Sequence, residues 1–176
     1  MRILAIVIAI SLIAFFGLSY YAGVLDKIDV SLADAGPYNL IYRQHKGPYG
    51  GVRAVVYDVS RYLSEKRSIV SRKGFAVFYD NPRTKKQEEL RCIGGYITDS
   101  LLSGVAAPYV AAIFPRTQSI VGIFPFRSFM SPMTGPMKFY PKMAELLLQR
   151  KREAAGPVME IYDLPGRKIL YIAPLK

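Results

Sequence analysis

Glu160 is the one carboxylate set mid-strand in the late extended segments Val158–Tyr162 and Lys168–Ile172. Period-two alternation puts Tyr162 on its face of the sheet, and Tyr171 faces the same way on the adjoining strand. An unpaired carboxylate among phenols is costly to bury. It therefore stays wet, pairs with a lysine or arginine, or receives a cationic or hydrogen-bonding ligand. Val77 and Tyr79 hold the matching positions in an earlier strand, so the site is asymmetric, with the acid on one side and an apolar wall on the other. The expected ligand-binding set is Tyr42, Tyr79, Cys92, Glu160, Tyr162 and Tyr171. In it Glu160 sets charge preference, and the tyrosines supply contact area and cation–π attraction for an aromatic or cationic ligand, or a protein segment.

Other reactive residue types are scarce. A single histidine, His45, cannot build a zinc site unaided, and it lies beside Lys46 at a strand end, where a surface role is expected. The single cysteine, Cys92, allows no internal disulfide. No glycine-rich dinucleotide or phosphate loop, no nucleophile elbow and no His/Cys metal spacing occurs, so no cofactor and no metal are expected.

The chain has 176 residues and 51% apolar types, with 13 Tyr and 9 Phe, which is enough to bury one sizeable core. Its 24 Lys+Arg against 13 Asp+Glu give a net charge of +11, which favours anionic partners. Only Arg2 of those charges precedes residue 26, so the basic character belongs to the remainder. Clusters at Arg61–Lys73, Arg83–Lys86 and Arg150–Arg152 flank helix ends and a hairpin. Contact with anionic lipid headgroups ranks above nucleic acid, because no nucleic-acid motif accompanies the charge.

From Ile3 to Leu25, 23 positions carry no charge, matching the roughly 20 that cross a bilayer as a helix. Residues 1–25 are expected to be a transmembrane signal-anchor and 26–37 a linker. A cleaved signal peptide is the competing reading, with Gly17 and Ser19 as a weak small-x-small site. Arg2 against Lys27 leans toward a cytoplasmic N-terminus and an exported domain. The free thiol and the lack of a usable Asn-x-Ser/Thr acceptor lean toward a cytosolic one.

Residues 38–176 read as a duplicated α+β domain. In the first half, about 38–97, strand Tyr38–His45 precedes a turn at 46–51, an amphipathic helix from Val52 and strands Phe75–Tyr79 and Glu89–Ile97. In the second, about 109–173, strand Thr117–Phe126 precedes a turn at 131–136, a helix from Pro141 and two closing strands. The halves share punctuation, Phe78-Tyr79-Asp80 then Pro82, and Ile161-Tyr162-Asp163 then Pro165. One antiparallel-rich sheet with both helices on one face follows. Ala76, Phe78, Ile93, Met159, Ile161, Leu170 and Ile172 are expected under the helices, and the six site residues on the uncovered face.

The strand-helix-strand-strand duplication resembles the GyrI-like (gyrase-inhibitor-like) small-molecule-binding domain, also the effector-binding half of AraC- and MerR-type regulators. Tyr42–Gly50, Val77-Phe78-Tyr79-Asp80-Asn81-Pro82, Arg91-Cys92 and Glu160-Ile161-Tyr162 carry the likeness to membrane-anchored members. The resemblance implies a single-pass protein of the endoplasmic reticulum with a cytosolic domain, or of the inner membrane in a prokaryote, and an adaptor or receptor-like role. An autophagy-receptor role would need an acidic tail with an aromatic-x-x-aliphatic motif. Tyr38-Asn39-Leu40-Ile41 fits that pattern, but it lies in the expected first strand. A binding module is the expected function. The alternatives are a hydrolase of strained-ring genotoxins using Glu160 and tyrosines, or an interaction scaffold.

Overall fold

The computed structural model describes residues 2–176. Helix α1 (Arg2–Tyr21) is apolar around its whole circumference and buries none of it, while Met1 of the expected anchor lies outside the described residues. After a turn come β1 (Asp29–Ala35), β2 (Tyr38–Lys46), α2 (Val52–Arg67), β3 (Lys73–Phe78) and β4 (Arg91–Thr98). They are followed by β5 (Tyr109–Phe114), β6 (Thr117–Pro125), α3 (Ser131–Arg150), β7 (Met159–Asp163) and β8 (Lys168–Pro174).

The strands form one antiparallel sheet in the order β1-β6-β8-β7-β3-β4-β2-β5. Exchanging β1–β4 with β5–β8 reverses this order and keeps every neighbour. The centre is the β3–β7 pair, where Ala76 lies opposite Glu160.

Three expectations need correction. The 26–37 linker contains β1, a full edge strand on β6, because Asp29-Val-Ser-Leu-Ala-Asp-Ala alternates weakly but finds a complete partner from Thr117 to Ile123. The second half gains β5, whose Tyr109–Phe114 pairs with β2. Helices α2 and α3 are therefore each preceded by two strands and not one. Helix α3 begins at Ser131 instead of Pro141, and Pro136 and Pro141 lie inside it. A proline has no N–H, so the carbonyls of Pro132 and Met137 lack their ordinary i+4 donor.

Helix α2 buries Val55, Val59 and Leu63, one i, i+4, i+8 stripe, with Val59 and Leu63 against Ile41. Helix α3 buries Phe139, which stacks on Tyr171 with centroids 4.9 Å apart and a 19° tilt. Gly122 makes this possible, since a Cβ there would meet the Phe139 ring at 2.4 Å.

The face assignment holds on β3, where Ala76 and Phe78 lie on the helix side and Val77 does not, and is inverted on β4, β7 and β8. Phe75, Val77, Ile93, Met159, Ile161 and Ile172 form a buried cluster with Ala35 and Leu40, packed by Tyr38, Tyr42, Phe114, Val121 and Leu170. All eight strands contribute to it and no helix does, so the sheet curls and closes its helix-free face upon itself. Ile161, Met159, Ile93, Leu170 and Ile172 thus lie away from the helices. Ala76, Phe78, Glu160, Tyr162 and Tyr171 lie on the helix side.

Gly122→Ala is expected to destabilise the fold by about 1–3 kcal/mol through overpacking at Phe139. Gly156→Ala, where a Cβ meets nothing within 4 Å, should be near neutral. Urea midpoints of the two variants check this.

Candidate functional site

Because the helix-free face supplies its own cover, α2 and α3 need not meet over the sheet centre. Between them lies a cleft of about 1870 Å³. Gly74, Ala76, Phe78, Tyr96, Glu160 and Tyr162 form its floor, and Val52, Arg53, Val56 and Tyr57 its α2 wall. Met133, Pro136, Met137 and Tyr140, at helical spacing, form the α3 wall, while Tyr49, Tyr79 and Asp80 stand at the rim.

Glu160 is buried, 4% exposed, in the middle of β7. Among the described residues it accepts one hydrogen bond, from the Tyr162 hydroxyl at 2.7 Å. Burial pushes its carboxyl up to about 7, against the pull of that bond. Burial and the nearby Glu160 charge in turn raise Tyr162 and Tyr171 well above ordinary phenols, and Tyr140 to about 12. The tyrosines stay neutral donors at any physiological pH.

Of the six expected site residues, Glu160, Tyr162 and Tyr79 line the cleft. Tyr171 lies opposite Glu160 in the register but is fully buried beneath α3. Its hydroxyl has no hydrogen-bond partner among the described residues and sits under Gly135, where a Cβ would come within 2.1 Å. Cys92 is buried as the cross-strand partner of Phe78, and burial lifts its thiol to about 11, so it is an inert packing group. Tyr42 is on the opposite face, edge-to-face with Phe75 at 6.4 Å. It faces away because Tyr42 and Phe75 are both register partners of Gly95.

The α3 wall escaped the sequence reading because Ser131–Pro136 has the composition of a turn. The available signal was the spacing of Met133, Met137 and Tyr140. The Asp80–Arg91 clamp was also missed as a unit. The Asp80 carboxylate accepts from the Arg91 backbone N–H at 2.8 Å, from Arg91 Nε and Nη2 at 3.0 Å each, and from Lys85 Nζ at 2.9 Å. The Arg91 and Lys85 bonds hold that carboxyl far below the usual range. The Asp80 backbone N–H and carbonyl both bond the Tyr49 hydroxyl, which fixes the rim. His45 Nε2 faces the Pro48 carbonyl at 3.1 Å, inside its own turn. Tyr38–Ile41 lies within β2. Among the described residues no group of three or more His, Cys, Asp or Glu could hold a metal ion.

The fold resembles that of GyrI-like domains. The C-terminal domain of EcmrR superposes with a TM-score of 0.62 over 85% of this chain and 98% of that domain, at 7% identity. A hydrolase from Listeria innocua superposes with a TM-score of 0.56 over 84% of this chain and 92% of that one, at 9% identity. In sequence the chain is similar to human testis-expressed protein 264, 27% identical over an alignment of 188 positions, gaps included, that covers 98% of this chain and 55% of that protein. The chain thus spans about half the length of that relative. No family model matches it.

The raised Glu160 carboxyl gives stability a pH signature. Between the ordinary 4.5 and about 7 the folded state holds a proton that the unfolded state has lost, so stability falls as pH rises through that window. Each pKa unit of difference is worth about 1.4 kcal/mol. Urea midpoints taken from pH 4 to 8 should fall and then level, and Glu160→Gln should remove this part of the slope.

Proposed function

We propose that the chain is a single-pass membrane-anchored binding module. In this reading α1 crosses the bilayer, and the cleft between α2 and α3 holds a small apolar or cationic ligand, or a protein segment. One observation carries the binding reading. Glu160 lies in the floor of an open aromatic cleft and receives only a phenol, although the chain has 24 Lys+Arg to pair it with. Its charged form is thus under-solvated until something in the cleft compensates it. A cation above Tyr162 and Tyr140 would gain Coulomb and cation–π attraction together.

The span is supported by the length and composition of α1 and by the absence of any buried residue along it. For location we propose the endoplasmic-reticulum membrane with the domain in the cytosol, and for role an adaptor or receptor-like one. Both are supported by the likeness to membrane-anchored GyrI-like proteins. The buried unpaired thiol accords with a reducing compartment.

A hydrolytic reading rests on a different property of the same group, a carboxyl titrating near neutrality and able to accept a proton from water. Binding is the better supported of the two. Among the described residues the one other acid along the cleft, Asp80, is consumed by Arg91 and Lys85 and supplies no second catalytic carboxylate.

The test is titration of the full chain in detergent micelles with a planar aromatic cation, read by tyrosine fluorescence. Affinity should rise with pH through about 7 as Glu160 ionises, then level. Glu160→Gln should weaken binding by roughly tenfold or more, about 1.4 kcal/mol, and abolish the pH dependence. Equal affinity in parent and variant would overturn the reading. A strained-ring substrate that is turned over by the parent and left intact by Glu160→Gln would favour hydrolysis.

A further inference from the structure

The chain between α1 and β1 is held against α3. The Thr134 hydroxyl donates to the Ala22 carbonyl at 2.8 Å, Lys138 Nζ to that of Val24 at 2.7 Å, and Lys142 Nζ to that of Ile28 at 3.0 Å. These three donors form one i, i+4, i+8 stripe. Arg127 adds an ion pair to Asp26 at 2.6 Å and lies 4.8 Å over the Tyr20 ring. Tyr21, the last residue of α1, meets Phe129 edge-on at 6.2 Å.

The next stripe around α3, Met133 and Met137, faces the cleft together with Phe129 just before the helix. These three side chains are 64%, 65% and 77% exposed for Phe129, Met133 and Met137, respectively. The end of the apolar helix and the cleft rim are thus separated by one helix, about 10–12 Å across. Amphipathic segments bury their apolar sides about 5–10 Å into the boundary between headgroups and acyl chains. With α1 in a bilayer and its tyrosine-bearing end at the headgroup level, Phe129, which meets Tyr21, lies beside that level, and Met133 and Met137 continue the same cleft-facing side of α3.

We propose that Phe129, Met133 and Met137 form a membrane-inserted portal through which a bilayer-dissolved amphiphile, with an apolar body and a cationic or hydrogen-bond-donating group, reaches Glu160. The proposal rests on the binding reading of the cleft and on α1 as a span. It explains why contiguous large apolar side chains stay uncovered on a rim otherwise fixed by hydrogen bonds. It also explains why the segment after the anchor is fastened to α3 rather than left slack.

The chain contains no tryptophan, so single probes report cleanly. Phe129→Trp, Met133→Trp and, across the cleft on α2, Tyr57→Trp are made in the full chain and reconstituted into phosphatidylcholine vesicles with or without brominated acyl chains. The two rim probes should emit blue-shifted and lose about half or more of their intensity to the bromolipid, as expected for side chains at the acyl boundary. The Tyr57 probe should be quenched by aqueous iodide instead. Rim probes that emit as in water and respond only to iodide overturn the portal.

A second arm uses an aromatic cation carrying alkyl tails of increasing length, added to the same vesicles with parent or Glu160→Gln protein. Protein-bound dye should increase with tail length and depend on Glu160. If the dye depends on Glu160 while both rim probes lie in water, the cleft reading stands and the portal falls. If the rim probes are buried but the dye ignores Glu160, the cleft reading falls and the proposed ligand with it.

Discussion

The helix-free surface of this sheet buries Phe75, Val77, Ile93, Met159, Ile161 and Ile172 against residues that come from the sheet's own flanking strands. A sheet ordinarily needs a second layer to cover its apolar face. Here curvature supplies it, and the consequence is spatial. The two helices are released from covering the centre and pack over their own halves, α2 on Ile41 through Val59 and Leu63, α3 on Tyr171 through Phe139. The gap between them lies over β3 and β7, the central pair that sets Ala76 opposite Glu160. Cleft and core are therefore the two sides of one pair of strands, and period-two alternation assigns each residue to one or the other.

Glu160 stands out when it is set beside three other carboxylates of the fold. Asp80 takes Arg91 and Lys85, Asp58 takes Arg43, Arg61 and the Tyr109 hydroxyl, and Asp26 takes Arg127. Each is held by cations, and for Asp80 and Asp58 the carboxyl is correspondingly more acidic. Glu160 is more deeply buried than these and has only Tyr162. Leaving a buried acid half-compensated sacrifices stability, and such sacrifices concentrate where a site has to remain open to something else. The orphaned Tyr171 hydroxyl, opposite Glu160 in the register, fits the same pattern.

Much of this was legible in the residues. Alternation on β7 and β8 grouped Glu160, Tyr162 and Tyr171, and the spacing of Val55, Val59 and Leu63 marked α2. What alternation cannot state is which side the helices take. The more apolar set was assigned to them, whereas it meets the sheet itself, a long-range closure with no local signature. Tyr42 does lie on the helix-free face, and it was grouped with Glu160 because alternation within one strand does not fix its phase against another. Helix α3 was cut short because Ser131–Pro136 imitates a turn and Pro141 suits the first turn of a helix, and both prolines are tolerated where tertiary packing at Phe139 overrides propensity. Strand β1 was read as a linker because its register partner lies roughly ninety residues away on β6.

That last correction changes how anchor and domain relate. A flexible linker would let the domain tumble near the membrane, and only its net charge would bias its approach. The observed segment instead runs from Ala22 to Ile28 along one stripe of α3, with its carbonyls taken by Thr134, Lys138 and Lys142, and then enters the sheet as β1. The carbonyls at the end of a helix have no intrahelical donors and need partners from elsewhere. By supplying these at Ala22 and just beyond, α3 turns the exit from α1 into a splint. The same helix carries Met133, Met137 and Tyr140 on its cleft side, so the wall of the site and the seat of the segment that follows α1 are two faces of one helix. If α1 crosses a bilayer as proposed, its attachment to α3 couples its orientation to the wall of the cleft, which a slack linker would not do.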